Sequence, residues 1–526
     1  MRVTVLAGVG LAAVVAAFVA TGPAASQDGA GADSAQRCER FAAEVARLDN
    51  VSEASATFEE AGMMPGQFGQ PGMMLPAHCK VSGVIDRRQG AGGVGYGIGF
   101  ELRLPAEWNG RFLLQGGGGL NGSVNPAVGP VAAARTPALA RGFAVASHDS
   151  GHKGPVFDDS FYADQRAALD FAEAAVPQVT HVTRELTAMF FGRAPHHSYM
   201  TGCSTGGREG MLASQRYPEL FDGIVIGAPA MRPGHSNLAM EHAQVLLNAT
   251  LPAGAEGPAG FTPAELALVE SELVRQCDAR DGAADGIIAN VEACRAFDPT
   301  VLQCAAGESD GCIAPDRLDA MQRGMASPQL ADGRDTYVPY PWDTGITYAG
   351  PGLPGFLPRG QGGPLGPAST ARDIDIDGRM HEVRWDAVGR LTDTAYWTNL
   401  STYLGRGSKL MFFHGVSDPW FSAFDTWDYY QRARAANGAE AWDDAARFYM
   451  VPGMMHCSGG NAFSNFDLLG PMVDWVEGGE APGAVTASRS DSDAQMPLCP
   501  HPSYAHYTGG GEGVASSYEC RMPQES

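Results

Sequence analysis

Between residues 81 and 230, the hydrophobic pattern alternates short apolar runs with a stretch of helical period. In that stretch, 167–190, apolar residues recur every three or four positions, as they do in a helix packed on one face. Apolar runs of strand length lie at 111–115, 142–147, 198–201 and 223–227. Strand, helix and strand in succession predict parallel pairing with crossover helices, so we expect an α/β fold.

The pattern becomes irregular over residues 231–395, which hold four of the ten cysteines. Strand-like runs return at 409–415 and 447–451, and a helical pattern follows at 466–477. One α/β domain interrupted by an insertion explains this order. The predicted organisation is a signal peptide (1–26), the first part of the core (27–230), a lid insertion (231–395) and the second part of the core (396–526), with disulfide-pinned extensions at 27–80 and 490–526.

The amino terminus is typical of an export signal. A positive end at Met1-Arg2 precedes the uncharged stretch 3–20, and small residues follow near Ser26. We expect cleavage near Ser26 and a secreted or periplasmic protein. The alternative is an uncleaved membrane anchor, because the uncharged stretch is at the lower edge of a spanning length.

Charge and cysteine content narrow the class of protein. Asp and Glu outnumber Lys and Arg by 59 to 36, and this net charge of −23 disfavours nucleic acid and anionic membrane surfaces as partners. Stable membrane association after signal cleavage is not expected, since no later stretch is long and apolar enough. An even number of cysteines in an exported chain favours disulfides. Neighbour spacing suggests Cys277–Cys294, Cys304–Cys312 and Cys499–Cys520.

A candidate nucleophile lies in Gly202-Cys203-Ser204-Thr205-Gly206, which fits the pattern G-x-S-x-G. The motif follows the strand predicted at 198–201 and precedes a helix-compatible run, so it is predicted to form a sharp strand-to-helix turn. Ser204 would stand exposed at a helix amino terminus, where the positive end of the helix favours a developing oxyanion. An ordinary Gly/Ser turn is the alternative.

The serine needs a base and an orienting acid, which follow it in the order Asp, His in an α/β-hydrolase. Asp418 follows the strand predicted at 409–413, and His456 follows the strand at 447–450. His414 precedes Asp418, and both His148 and His152 precede the serine. We therefore predict Asp418 and His456 as the partners of Ser204.

Two cysteines give an independent check on this triad. Cys203 directly precedes Ser204, and Cys457 directly follows His456. If serine and histidine meet, these cysteines come within bridging range, and a Cys203–Cys457 disulfide would hold the two loops together. Two buried free cysteines are the alternative.

Glycine-rich and aspartate-rich loops supply two further candidate sites. The loop 116–122 follows the strand at 111–115, and its Gly119 N–H is predicted to complete an oxyanion hole with that of Thr205. The loop 277–288 could bind a structural calcium ion through oxygen ligands. The candidate ligands are the carboxylates of Asp278, Asp281 and Asp285 and the carbonyls of Ala283 and Ile287. Asx turns on a solvated loop explain the same aspartates equally well.

The residues around Ser204, the pair Ser417-Asp418 and the run Gly453-Met454-Met455-His456-Cys457 together resemble the tannase and feruloyl esterase family. The resemblance covers most of 38–526. It implies an α/β-hydrolase fold with a lid, the triad, the oxyanion pair and the calcium ligands named above, and no redox cofactor. It also implies the disulfide Cys38–Cys79, besides the four pairs already named.

This resemblance implies a secreted serine esterase that cleaves small aromatic esters through an acyl-enzyme. Hydrolysis of a terephthalate monoester is the alternative within the family, since 106–112 and 453–460 look like stretches of a member with that activity. The later lid, about 337–377, is short and rich in Gly and Pro, and only Arg359 and Arg372 could grip an acid group there. Phe421 is a candidate for the pocket wall. A serine peptidase and an inactive calcium-stabilised binding protein are the rival functions.

Overall fold

The computed structural model describes residues 27–66, 72–129, 136–255, 257–347 and 369–524. The predicted signal peptide and Arg359 lie outside these ranges. None of the helices in the described residues has the length and apolar character needed to cross a membrane.

The described residues form strands and helices in alternation along most of the chain. The strands are β1 (Val51–Glu59), β2 (Gly62–Met64), β3 (Met73–Leu75), β4 (His78–Gln89), β5 (Gly95–Pro105), β6 (Arg111–Gln115), β7 (Ala144–His148), β8 (His197–Cys203), β9 (Gly223–Gly227), β10 (Lys409–Gly415), β11 (Ala446–Val451), β12 (Val485–Ser488), β13 (Gln495–Leu498), β14 (Tyr504–Tyr507) and β15 (Tyr518–Arg521). The α-helices are α1 (Gln27–Val45), α2 (Gln165–Leu169), α3 (Ala175–Phe191), α4 (Thr205–Arg216), α5 (Pro233–Ala249), α6 (Pro263–Cys277), α7 (Pro315–Met325), α8 (Ile376–Trp385), α9 (Ala387–Thr392), α10 (Ser401–Gly405), α11 (Ala423–Asn437), α12 (Ala439–Asp443) and α13 (Leu469–Gly478).

A nine-stranded sheet forms the centre of the fold, in the order β1-β4-β5-β7-β6-β8-β9-β10-β11. The six strands from β7 to β11 in this order are parallel. All six predicted strands are present with ends shifted by at most a few residues, and the predicted helix at 167–190 is α2 and α3 joined by one π-helical turn. The α/β-hydrolase fold is therefore confirmed.

The other edge of the sheet differs from the prediction. Strands β1, β4 and β5 pair antiparallel, and β1 lies within the segment that the sequence marked only as a disulfide-pinned extension. Burial alternates along β1, because one of its faces meets solvent. Such a half-exposed strand has a weaker apolar signal than the buried parallel strands.

Two apolar layers cover the sheet, because successive residues of each strand face opposite sides. Phe412 joins the layer with α3, α4 and α11, whereas the next residue, Phe413, joins the layer with α13. The chain between β9 and β10 contains α5 to α10 and has an apolar core of its own, which includes Leu247, Leu273 and Met321. The predicted limits of the insertion at 231 and 395 stay a prediction.

Candidate active site

Ser204 lies between the last residue of β8 and the first of α4. Its φ of 63° and ψ of −122° are strained for a residue with a side chain. Three backbone hydrogen bonds hold this turn, including one from the Ser204 N–H to the Gly227 carbonyl at 3.1 Å. A Cβ atom at Gly202 would lie 2.5 Å from the Gly206 carbonyl, which explains the need for glycine on either side. This is the strand-to-helix turn that the sequence predicts.

Asp418 and His456 lie on loops that follow β10 and β11, at the same sheet edge as Ser204. The Nδ1 atom of His456 is 2.6 Å from Oδ2 of Asp418, which is completely buried. The other carboxylate oxygen accepts the N–H groups of Trp420 and Phe421 at 2.9 and 3.0 Å. The Nε2 atom of His456 is buried and has no hydrogen-bond partner in the described part of the chain. That nitrogen is therefore available to take a proton.

A second imidazole faces the same carboxylate. His414 lies on β10 with Nε2 3.2 Å from Asp418 Oδ2, while its Nδ1 is 2.8 Å from the Thr426 hydroxyl. Burial opposes ionisation of Asp418, but the charges and hydrogen bonds of His456 and His414 outweigh it and hold the pKa of Asp418 well below its usual range. His414 thus supports the acid, a role that sequence order alone did not reveal.

The disulfide Cys203–Cys457 joins the serine loop to the histidine loop, with a Cα–Cα distance of 6.0 Å. It closes a loop across 254 positions of the chain. The ten cysteines form five disulfides, and all five are the pairs that the sequence analysis named: Cys38–Cys79, Cys203–Cys457, Cys277–Cys294, Cys304–Cys312 and Cys499–Cys520.

The two candidate oxyanion donors are adjacent. The Thr205 hydroxyl donates to the Gly119 carbonyl, so the start of α4 contacts the glycine-rich loop directly. The Gly119 N–H donates no hydrogen bond among the described residues. Thr205 is the first residue of α4, where a helix leaves N–H groups without an internal partner. Both N–H groups are therefore available to a substrate oxygen.

A buried charge on α4 fixes the glycine-rich loop. Oε2 of Glu209 accepts the Gly117 N–H at 2.8 Å and lies 3.6 Å from Nε2 of His148. Burial disfavours both charges, but their mutual attraction prevails, so the pKa of His148 is raised and that of Glu209 is lowered. The Asn121 carboxamide accepts the Gly118 N–H at 2.8 Å. His148, one of the rejected candidate bases, thus belongs to the support of the loop.

Aromatic and apolar side chains surround the site. The rings of Trp420 and Phe421 lie 4.6 and 5.4 Å from the His456 ring. Val156 and Phe157 are about half exposed, and both would touch a Cβ atom placed on Gly119. The sequence singled out only Phe421; the position of Trp420 two residues after Asp418 was a signal that could have identified it.

Two other candidates from the sequence contact groups outside the triad. His152 stacks on Phe161 with 3.6 Å between ring centroids, and burial lowers the pKa of His152 to about 4. The guanidinium of Arg372 donates to the carbonyls of Leu251, Pro252 and Ala255 at 3.0 Å.

The loop that follows α6 contains the candidate calcium ligands. Asp281 and Asp285 each accept the N–H two residues ahead, at 3.1 and 3.0 Å, so the predicted Asx turns exist. The Oδ1 atom of Asp278 is buried and accepts no hydrogen bond in the described residues. Burial raises the pKa of all three carboxyls, that of Asp281 to about 7. Repulsion from Asp285 adds to the rise at Asp278 and Asp281, and repulsion from Glu512 adds to the rise at Asp285.

These features fit a cation, which would neutralise the repulsion and give Asp278 Oδ1 a partner. The Ile287 carbonyl accepts the Ala289 N–H at 3.0 Å and keeps its second lone pair. The three aspartates do not form a group of ligand atoms that all lie within 4.8 Å of one another. Oxygens on opposite sides of a calcium ion can be about 5 Å apart, because each lies about 2.3–2.6 Å from the metal.

Comparison with known proteins supports the same interpretation. A family described as tannase and feruloyl esterase matches residues 79–356 and 370–521. The chain is 36% identical to a mono(2-hydroxyethyl) terephthalate hydrolase from Piscinibacter sakaiensis over 85% of each protein, and 29% identical to feruloyl esterase B from Aspergillus niger over 80% of this chain and 83% of that enzyme. The crystal structure of feruloyl esterase B from Aspergillus oryzae superposes with a TM-score of 0.75 at 25% identity, covering 93% of this chain and 100% of the other.

The matched segments include the loops that carry Ser204, Asp418 and His456 and cover most of the sequence. The relatives are esterases and hydrolases by name, and they align over 85% and 83% of their own length. This chain belongs to the tannase and feruloyl esterase family and is a carboxylic ester hydrolase.

Proposed function

We propose that the protein hydrolyses small aromatic esters through a covalent acyl-enzyme, with Ser204 as nucleophile, His456 as base and Asp418 as the orienting acid. The observation that carries this proposal is the His456–Asp418 hydrogen bond of 2.6 Å, which leaves the buried Nε2 atom of His456 free to accept a proton. A disulfide joins the loop of His456 to the loop of Ser204. The activities in the names of the relatives support the substrate class.

In the first half of the reaction, the Ser204 hydroxyl oxygen attacks the ester carbonyl carbon and its proton passes to Nε2 of His456. The carbonyl oxygen becomes an oxyanion and accepts the N–H groups of Gly119 and Thr205. Asp418 stays ionised and stabilises the imidazolium that forms. When the intermediate collapses, the bond to the alcohol breaks and the alcohol leaves with the proton from His456.

In the second half, His456 takes a proton from water, and the resulting hydroxyl attacks the acyl carbon. The same two N–H groups hold the second oxyanion. The bond to Ser204 then breaks, the serine regains its proton from His456, and the carboxylic acid is released. No redox step occurs in this sequence.

The surroundings of His456 suit an aromatic acyl group. Trp420 and Phe421 present ring faces or edges beside the base, and Val156 and Phe157 add apolar surface beside the oxyanion loop. Hydroxycinnamate and gallate esters are therefore the first candidates. A terephthalate monoester is the second candidate, because of the 36% identity with an enzyme named for it.

The Asp/Gly loop is proposed to hold a structural calcium ion through the carboxylates of Asp278, Asp281 and Asp285 and the carbonyls of Ala283 and Ile287. The ion would neutralise buried negative charge and fix the loop after α6. The five disulfides support the proposal that the protein is exported after removal of residues 1–26.

The decisive experiment compares Ser204→Ala with Ser214→Ala, a control on the same helix whose hydroxyl only bonds the Met211 carbonyl. With methyl ferulate, methyl gallate and mono(2-hydroxyethyl) terephthalate as substrates, we expect Ser204→Ala to lose activity by a factor on the order of 10⁴ or more and the control to keep it. A phosphonate probe should label only proteins that retain Ser204.

Parental ester hydrolysis by Ser204→Ala would exclude the proposed nucleophile. Inertness of the parent toward every ester and toward the phosphonate would favour a binding protein. Faster cleavage of an anilide than of the matching ester would favour a peptidase.

A further inference from the structure

One segment of the insertion, residues 337–345, lies along the loop 417–422 that carries the catalytic acid. We call it the clamp segment. Four hydrogen bonds join the clamp segment to this loop. Ser422 makes two of them: its N–H donates to the Tyr337 hydroxyl at 3.1 Å, and its hydroxyl donates to the Pro339 carbonyl at 2.7 Å. In the other two, the Tyr340 hydroxyl donates to the Trp420 carbonyl and the Gly345 N–H donates to the Ser417 hydroxyl, both at 3.1 Å.

Asp343 is the charged residue of this clamp segment, and only 1% of it is exposed. Its Oδ2 atom accepts the Ser417 hydroxyl and the Gly453 N–H, both at 2.7 Å. Its Oδ1 atom accepts the Thr344 N–H at 2.8 Å. Asp343 therefore bonds the acid loop and the base loop through the same oxygen.

The two residues bonded by Asp343 are close to the catalytic pair in sequence. Ser417 directly precedes Asp418, and Gly453 lies three residues before His456 on the loop that follows β11. The acid and base loops also share backbone bonds, such as the one from the Ser417 N–H to the Met454 carbonyl at 3.0 Å. The disulfide fixes the base loop to the serine loop and leaves the acid loop to these noncovalent contacts.

We propose that Asp343 is a positioning residue, which sets the distance between Asp418 and His456 by holding their two loops from the insertion. This rests on the catalytic roles proposed above. A buried carboxylate is costly unless hydrogen bonds satisfy it, and here three donors do so. A small displacement of a catalytic group can cost about 100-fold in rate, so the spacing between the acid loop and the base loop matters for catalysis.

The test uses Asp343→Asn and Asp343→Ala in the full chain, with Asp222→Asn as the control. Asp222 also accepts a backbone N–H, that of Ser198 at 2.8 Å, but contacts none of the three catalytic loops. We expect kcat to fall about tenfold in Asp343→Asn and about 100-fold in Asp343→Ala, with KM changed less than about twofold. The control should retain the parental kcat.

The pH profile separates positioning from mere structural support. When the acid loop moves away, Asp418 stabilises the His456 imidazolium less, so the acidic limb of kcat/KM should move to lower pH in Asp343→Asn. A residue that only supports the fold would lower the melting temperature and leave the limb in place. An unmoved limb together with a parental kcat overturns the proposal.

Ser417→Ala removes the Asp343–Ser417 hydrogen bond from the serine side. This variant tests the proposal even if Asp343→Ala does not fold. We expect the double variant Asp343→Asn/Ser417→Ala to lose less activity than the product of the two single losses, because both changes remove the Asp343–Ser417 contact. Losses that multiply independently would contradict a shared contact. If Ser204→Ala kills activity while Asp343→Ala keeps the parental kcat, only the positioning role fails; if Ser204→Ala stays active, both proposals fail together.

Discussion

Two sets of buried carboxylates lie in different parts of this fold and are compensated in opposite ways. Asp418 faces two imidazoles, and its pKa is held below the usual range. The three aspartates of the Asp/Gly loop, Asp278, Asp281 and Asp285, have no such partners within the described ranges, and burial raises their pKa values. Asp418 has its compensating partners within the chain, whereas the cation proposed for the three aspartates would come from outside it.

The difference lies in what compensates each buried carboxylate. In the core, two buried acids have histidine partners: Glu209 has His148 and Asp418 has His456. Such pairs keep their charges compensated without any added ligand. The cation proposed for the Asp/Gly loop would instead make the stability of that loop depend on the concentration of the ion.

The largest expected effect comes from Asp418→Asn. The change keeps the shape but removes the charge that orients His456, so we expect kcat to fall about 10⁴-fold. In the parent, log kcat/KM should rise with pH with a slope of one, because Asp418 stays ionised and only one proton leaves the site when the base becomes active. A slope of two, or a parental rate in Asp418→Asn, would break the assignment.

A smaller effect is expected for Glu209→Gln, which leaves His148 buried without its counter-charge. Breaking a buried pair costs about 3–5 kcal/mol in stability. The His148 pKa is raised in the fold, so its stabilising contribution is fully present below its unfolded pKa of about 6.5 and is lost as pH rises through the folded value. Urea unfolding should therefore show a larger cost at about pH 6 than at about pH 9.

Equal costs of Glu209→Gln at the two pH values would mean that the pair carries no charge in the fold. Glu173→Gln is a suitable control, because Glu173 pairs with Arg216 at a partly exposed site, where ion pairs contribute little. Its cost should be small at both pH values.

The smallest expected effect is that of removing the cation. Chelation should destabilise the protein by about 2.7 kcal/mol relative to calcium at 100 times its dissociation constant, which calorimetry would report as a fall in melting temperature. Adding calcium back should restore the melting temperature of the parent but not that of Asp281→Asn. The exposed Asp298, in the same insertion, gives the control Asp298→Asn, which should respond to calcium like the parent. An identical melting temperature of the parent with and without calcium would contradict the proposed calcium site.

Much of this arrangement could be predicted because it depends on local patterns. The turn at Ser204 follows from glycine spacing between a strand and a helix, and the strand order places the loops of Asp418 and His456 at the same edge. The disulfide Cys203–Cys457 followed from residues adjacent to the triad. Each of these needs only a motif and the common direction of parallel strands.

The contacts that the sequence did not reveal are those between distant segments. Asp343 reaches Ser417 and Gly453 across 74 and 110 positions. An aspartate followed by threonine and glycine is also typical of a surface turn. Its burial depends on how the insertion packs on the core, which no local pattern encodes.

The bond between Cys203 and Cys457 turns the chain between them into a covalent ring that encloses the whole insertion. A protease that cuts once inside this ring produces two polypeptides that remain attached beside the serine and the histidine. Fragmentation on a reducing gel alone would therefore not report that the reaction centre had come apart.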